Sequence, residues 1–387
     1  MKTDISTSVS ADILPAASAH LGGTAERNVI YDSQAACLVF CCGIVFKISS
    51  LPGLVASEML SGTLWLYLFM IAVDVLMFAA ISAYASTGAD ALFSARVPVL
   101  FRAFSALSSA WLLLKGVIYF CYTVVFLMVD LFVAVPPYVV VLALAAPVLY
   151  LGCKGVVSIA RCAELFTPVL LLVFVANLAL LDADMDAGRN LPLEAMPPEE
   201  FFKRGFLFGM WLGDMLPLAF SSIKRKKFPY LVVGTGVSYA LVAVVALIAV
   251  AMYGAALPYV YNMVIRLSGF NKLSLEIGRM EWAAIFIVIV MAMLSLSLHM
   301  WGAAEGSRRA FGSPLPARVL FAAGVIAVPL ALPSAHVLTE FSVTEFGYAA
   351  TGISLLLALV CGAEGIRARR AHKRKATPPQ EDGGEET

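Results

Sequence analysis

Apolar runs of about 18 residues or more recur along this chain, the length at which an α-helix crosses the hydrocarbon core of a bilayer. The runs are continuous rather than alternating, which excludes a β-barrel. Of 387 residues, 61% are hydrophobic and 14% charged, and the mean hydropathy is +0.88. A soluble domain of this size cannot hide that much apolar surface. The expected fold class is therefore an all-α polytopic membrane protein. About ten transmembrane helices are predicted, near 35–57, 63–86, 99–131, 136–152, 157–181, 203–221, 229–254, 281–302, 316–333 and 346–366.

Lysine and arginine in short loops set the orientation of such a bundle. Arg96 and Arg102 follow span 2, Lys154 and Arg161 surround the turn after span 4, and "KRKK" (224–227) follows span 6. Arg308, Arg309 and Arg318 follow span 8, and "RARRAHKRK" follows span 10. An even count puts all of these on one face, taken as cytoplasmic. The opposite loops are acidic, as in "LDADMDAGRNLPLEAMPPEE" (181–200), or lack lysine and arginine, as around Glu340 and Glu345. Both termini are thus expected inside. The basic clusters serve as topology signals, with contacts to anionic lipid as the alternative.

The division expected is a flexible segment over 1–33, a membrane domain over 34–367 and a disordered tail over 368–387 that runs from basic to acidic. The first 30 residues lack the apolar core of a cleaved signal peptide. Six of the seven cysteines lie in or beside apolar runs and none forms a CxxC pair, so they read as small apolar filler. No HExxH, Gly-rich phosphate loop or nucleophile motif stands in a fitting context, so no enzyme activity, metal or cofactor is expected. Nothing in the chain points to a nucleic-acid partner.

Ionisable residues inside spans are costly and mark interior positions. They are Lys47 in span 1, Asp74 in span 2, Lys115 in span 3, Asp214 in span 6 and His299 in span 8. Glu164 in span 5 lies nearer the inner face. Lys47 is about a dozen residues, roughly 18 Å of helix, from the inner end of its span. That is too far for its side chain to snorkel. Lys47 or Lys115 can pair with Asp74 or Asp214, and such pairing by itself does no more than hold the bundle together.

Backbone context adds a second reading. Span 1 holds "FKISSLPG" and span 6 holds "GFLFGMWLGDMLPLAF", each with a charge, small residues and a proline in mid-span. Pro52 removes a helix donor, and Gly53, Gly209 and Gly213 weaken helix formation. Groups freed there must be satisfied by neighbours, water or a ligand. Spans 1 and 6 occupy corresponding places in two five-span halves, the arrangement of inverted-repeat transporters with broken helices. The candidate pocket is therefore lined by Lys47, Ile48, Ser49, Ser50, Pro52 and Gly53 from span 1. Gly209, Gly213, Asp214 and Pro217 come from span 6, and Lys115 and Tyr119 from span 3. Tyr122, Ser295 and His299 close it, and Asp74, Glu164 and His299 are candidates for proton transfer or ion pairing.

The stretch "YLGCKGVVSIARCAELFTPVLLLVFVANLALLDADMDAGRNLPL" resembles spans 4–5 and the next loop of the spore germination permeases. These are the B subunits (GerAB-type) of germinant receptors, within the amino acid–polyamine–organocation superfamily. The resemblance rests on Lys154-Gly155, Ile159-Ala160-Arg161, Glu164, Pro168 and Asn190-Leu191. "GDMLP" is similar to the family's Gly-Glu step in span 6, with Asp214 in place of the glutamate. "SGFNKLSLEIGRMEW" resembles the entry to span 8, with Glu281 at its acidic position, and Pro52 and Trp65 match spans 1 and 2. The departures are Val45, where the family has a glycine step, and Lys47, a charge foreign to its pattern. The resemblance covers roughly residues 33–366.

It implies ten spans as a 5+5 inverted repeat with helices 1 and 6 broken. It further implies a small nutrient, such as an amino acid, bound at the midplane, and A-type and C-type receptor subunits as partners in a spore inner membrane. Two alternatives stay open. One is a proton-coupled amino acid transporter in which Lys47 replaces a coupling cation. The other is a non-transporting membrane scaffold.

Overall fold

The structure is a computed structural model. It describes residues 28–376 apart from 59–61, 133, 182–196, 225–228, 261, 270–280, 332–336, 338–339 and 342. Most of the acidic 181–200 loop, three residues of "KRKK" and most of the span 8 entry motif lie outside the described residues.

The chain is an all-α polytopic membrane protein. Among the described residues, eight helices are long and apolar enough to cross a bilayer. Strand β1 (Val29–Tyr31) leads into α1 (Asp32–Leu38), a π-helical turn (Val39–Gly43), α2 (Val45–Ser49) and α3 (Leu51–Glu58). Then come α4 (Thr63–Ser86), the short α5 (Ala89–Arg96), α6 (Pro98–Asp130), α7 (Pro137–Lys154) and α8 (Val156–Ala179). Helix α9 (Pro198–Gly205) runs into two 3₁₀ turns, Phe206–Trp211 and Leu216–Phe220, and then β2 (Ser222–Lys224). The remainder is α10 (Tyr230–Tyr253), α11 (Met263–Ser268), α12 (Glu281–Phe311), α13 (Leu315–Ala331) and α14 (Glu345–Ala376). Helix α13, at 17 residues, is shorter than these eight, and predicted span 6 is made of α9 and two 3₁₀ turns rather than one long helix.

Lipid exposure follows the apolar pattern. Leu165 and Leu172 on α8 and Val232 on α10 are each more than 70% exposed, as side chains facing acyl chains are. Helices α6 and α12 are instead mostly buried and pack along each other at the centre. Gly116, Gly302 and Gly306 lie where close neighbours leave no room for a side chain. Close approach of this kind is how helices associate without a hydrophobic drive between them.

Three expectations are corrected. Residues 28–33 are not a flexible lead: β1 pairs in parallel with β2, Tyr31 opposite Lys224, and Ile30 is fully buried. This pairing ties the start of span 1 to the end of span 6. The tail does not begin at 368, because α14 continues to Ala376. Its basic last turns suit a helix C-terminus, and Arg367 reaches back to Glu364 while His372 meets the Thr87 carbonyl at 3.2 Å. Finally, span 8 does not stop at 302 but runs to Phe311. Its end is held by Arg309, which bonds Glu305 and Asp90 and donates to the Phe220 carbonyl at 2.7 Å.

Candidate functional site

Both predicted interruptions exist, and span 1 is broken at two points: at Ser50 (φ −101°, ψ −31°), between α2 and α3 and two residues before Pro52, and again further upstream. Pro52 is the second residue of α3, a position where no intrahelical N–H is required, so the helix tolerates it. The second break lies eight residues before Pro52. The π-turn ends at Gly43, and Ile44 sits off the helical path at φ −112°, ψ −18°. A π-turn misaligns the ladder and frees carbonyls. Ser295 Oγ donates to the Cys42 carbonyl at 3.1 Å, and Lys47 Nζ donates to the Gly43 carbonyl at 2.8 Å. Span 1 therefore carries a lysine partly because its own backbone needs a donor there.

In the second interruption, Leu212 is extended at φ −97°, ψ 145° and Gly213 is left-handed at φ +72°. The Gly213 N–H donates to Asp74 Oδ1 at 2.6 Å, and the Leu212 carbonyl accepts from Lys115 Nζ at 2.6 Å. The Met210 carbonyl lies 2.7 Å from the Tyr119 hydroxyl. Gly213→Ala is expected to cost about 1–2 kcal/mol, because a Cβ disfavours that left-handed backbone. Equilibrium unfolding of the purified variant measures it.

The four central charges meet in one alternating array. Asp74 Oδ2 is 3.2 Å from Lys47 Nζ, which also bonds Asp214 Oδ2. Asp214 Oδ1 is 2.7 Å from Lys115 Nζ and 2.9 Å from the Tyr119 hydroxyl. The order is therefore Asp74, Lys47, Asp214, Lys115, with two charges of each sign. All four are at most 3% exposed. Lys47 spends its three donors on Gly43, Asp74 and Asp214, so its ammonium is saturated. Isolated, each charge would be prohibitive at this depth; paired and hydrogen-bonded, it is tolerated.

His299 joins the edge of this array. Its Nδ1 is 2.8 Å from the Ser295 carbonyl and its ring stands edge-on to Tyr119 at 5.6 Å. Its Nε2 is fully buried without a partner among the described residues. Glu164 does not join: it is exposed on α8 and accepts from Gln34 at 3.2 Å. Gly53 and Gly209 lie against backbone rather than open space. A Cβ on Gly53 would sit 2.3 Å from the Val260 carbonyl, and one on Gly209 would sit 2.2 Å from the Thr351 nitrogen. Pro217 packs beside Gly302 on α12. Ile48 is fully buried, and Ser49 and Ser50 donate to the Val45 and Phe46 carbonyls at 2.7 and 3.0 Å.

Two tyrosines were not anticipated. Tyr67 donates to the Lys47 carbonyl, and Tyr239 on α10 donates to Asp74 Oδ2. For Tyr239 the available signal was a hydroxyl at mid-span in a largely aliphatic run, whereas Tyr67 lies near the start of α4 between Trp65 and Phe69, where aromatic residues at membrane interfaces make it ambiguous.

Beside the array is a small cavity of about 20 Å³. It is lined by Phe46, Ser49 and Ser50 of span 1, Tyr122 and Thr123 of α6, and Asn262 ahead of α11, among others. That volume is about one water. Among the described residues, no group of three or more His, Cys, Asp or Glu is placed to hold a metal ion. No protein-family model matches the chain, and no curated protein matches it.

Proposed function

We propose that this chain is a permease-like membrane protein that binds a small zwitterionic nutrient, such as an amino acid, where its two interrupted helices meet. The observation that carries the reading is the alternating array of Asp74, Lys47, Asp214 and Lys115 joined to the freed backbone of both interruptions. In a bilayer, such backbone groups are kept irregular only where protein or ligand satisfies them. An amino acid carries one ammonium and one carboxylate, the two charges that the array already holds in register. It can therefore exchange with internal partners without leaving a net buried charge. The cavity beside Ser49 and Ser50 then expands as the array opens.

In this proposal the fold is a ten-span 5+5 inverted repeat. The chain acts as the B-type subunit of a spore germinant receptor, with A-type and C-type subunits in the spore inner membrane. Binding, rather than turnover, produces the signal.

The test is a thermal-shift screen of the purified protein against amino acids. A true ligand raises the transition with concentration, by about 2.7 kcal/mol of added stability at one hundred times its Kd. Asp214→Asn removes that rise. A screen in which no amino acid shifts the transition, repeated in lipid discs, overturns the reading in favour of a scaffold.

One observation favours a second reading. Lys47 is held by two carboxylates and a carbonyl, as a bound cation is. A proton-coupled transporter uses such a lysine in place of a coupling ion. Uptake of labelled amino acid into vesicles, lost when the proton gradient collapses and in Lys47→Met, separates transport from sensing.

A further inference from the structure

One buried amide leaves part of its hydrogen-bonding capacity unused. Asn177 stands near the end of α8 and is 8% exposed. Its Nδ2 donates to the Val173 carbonyl at 2.9 Å, which fixes which way the amide is turned. Its Oδ1, on the other side of the amide, is buried and has no partner among the described residues. Buried amide oxygens are nearly always paired, and a bare one in apolar surroundings is costly.

A space lies beside it. Asn177 lines a cavity of about 10 Å³ where α8, α10, α11 and α12 meet. Phe174, Val245, Leu267 and Ile287 supply apolar walls, and Ser268, the last residue of α11, is the second polar residue of the lining. Ser268 Oγ gives its proton to the Ile265 carbonyl at 2.7 Å, so its oxygen is left to accept. The lining therefore offers two side-chain acceptors and no charged group.

Size and chemistry together select the guest. The volume of about 10 Å³ has room for one water and nothing larger. A water brings two O–H donors, one for each acceptor. An ammonium or a metal ion would bring a charge that nothing in the lining offsets, and a membrane interior does not tolerate that.

The position of α11 gives the site its consequence. Five of the six residues of α11 are buried. The helix packs against α2, which carries Lys47, and against α12. Asn262, just before α11, lines the other small cavity beside Ser49 and Ser50. A helix this short has little stability of its own, so contacts to its neighbours hold it in place.

We infer that one buried water, donating to Asn177 Oδ1 and Ser268 Oγ, ties α11 to α8 and so keeps it seated against the interrupted part of span 1. The site is separate from the charged array and stands whether or not a nutrient binds there.

X-ray hydroxyl-radical footprinting of the full chain in lipid discs tests this, because radicals form from water and mark the side chains beside it. Phe174 and Leu267 are expected to be modified several-fold faster than Phe120, which is fully buried and lines none of the described cavities. Asn177→Leu keeps the shape of the side chain and removes the acceptor. It is expected to bring both residues down to the Phe120 rate and to speed amide exchange over residues 262–269 several-fold. Ser268→Ala removes the other acceptor, is expected to lower both rates, and decides the matter if Asn177→Leu is poorly folded. Phe174 and Leu267 as protected as Phe120 in the parent chain would mean a dry cavity and overturn the inference. Rates unchanged in both variants would mean bulk water entering from outside and overturn it as well. Amide exchange over 262–269 unchanged while the labelling is lost would show that the water does not hold α11, which also overturns it.

Discussion

Lys47→Met is expected to destabilise the membrane domain by about 3–5 kcal/mol, the cost of breaking a buried ion pair from one side. Two carboxylates, Asp74 and Asp214, would then share the single cation Lys115, which touches only Asp214. The Gly43 carbonyl would also lose its donor. Adding Asp74→Asn to Lys47→Met restores neutrality, so the double variant should be more stable than Lys47→Met alone. That sign distinguishes an electrostatic array from simple loss of packing, because two packing losses would add. Equilibrium unfolding in detergent measures both. A Lys47→Met protein as stable as the parent would show that the array contributes nothing to the fold.

Gly209→Val should cost about 3 kcal/mol, at the upper end for overpacking. A Cβ at Gly209 would lie 2.2 Å from the Thr351 nitrogen and 2.6 Å from its Cα. Those are backbone atoms of α14, which cannot rotate away as a side chain does. The same contact is seen from the other side, where a Cβ on Gly347 would lie 1.9 Å from the Leu207 carbonyl. The control is Gly352→Ala on the same helix, where a Cβ meets nothing within 4 Å. It should stabilise α14 by up to about 1 kcal/mol through helix propensity. If the two substitutions behave alike, close packing of α14 on the interrupted span is not what fixes that glycine.

Much of the architecture was legible because a bilayer permits so few solutions. Long apolar runs must be helices, and charges within them must face inward. Lys47, Asp74, Lys115, Asp214 and His299 could be picked from the sequence on that ground alone, and all five are buried around one centre. The span 6 interruption was legible as well, since a glycine ahead of a charge in an apolar run has few other uses. Pro52 marked the break at Ser50 but not the one at Ile44, because the π-turn before it holds no proline and only one glycine, Gly43.

The sequence by itself determined that this is an all-α polytopic membrane protein with ionisable groups inside its spans. Hydrocarbon imposes that rule locally, run by run. Which lysine meets which aspartate was decided only by tertiary structure. The order Asp74, Lys47, Asp214, Lys115 depends on four segments between 27 and 167 residues apart in the chain arriving at one depth and one face. So does the satisfaction of Cys42, Leu212 and Gly213 by side chains from elsewhere. Hydrogen bonds and ion pairs act over about 3 Å, and no periodicity within a single helix reports distances across a bundle.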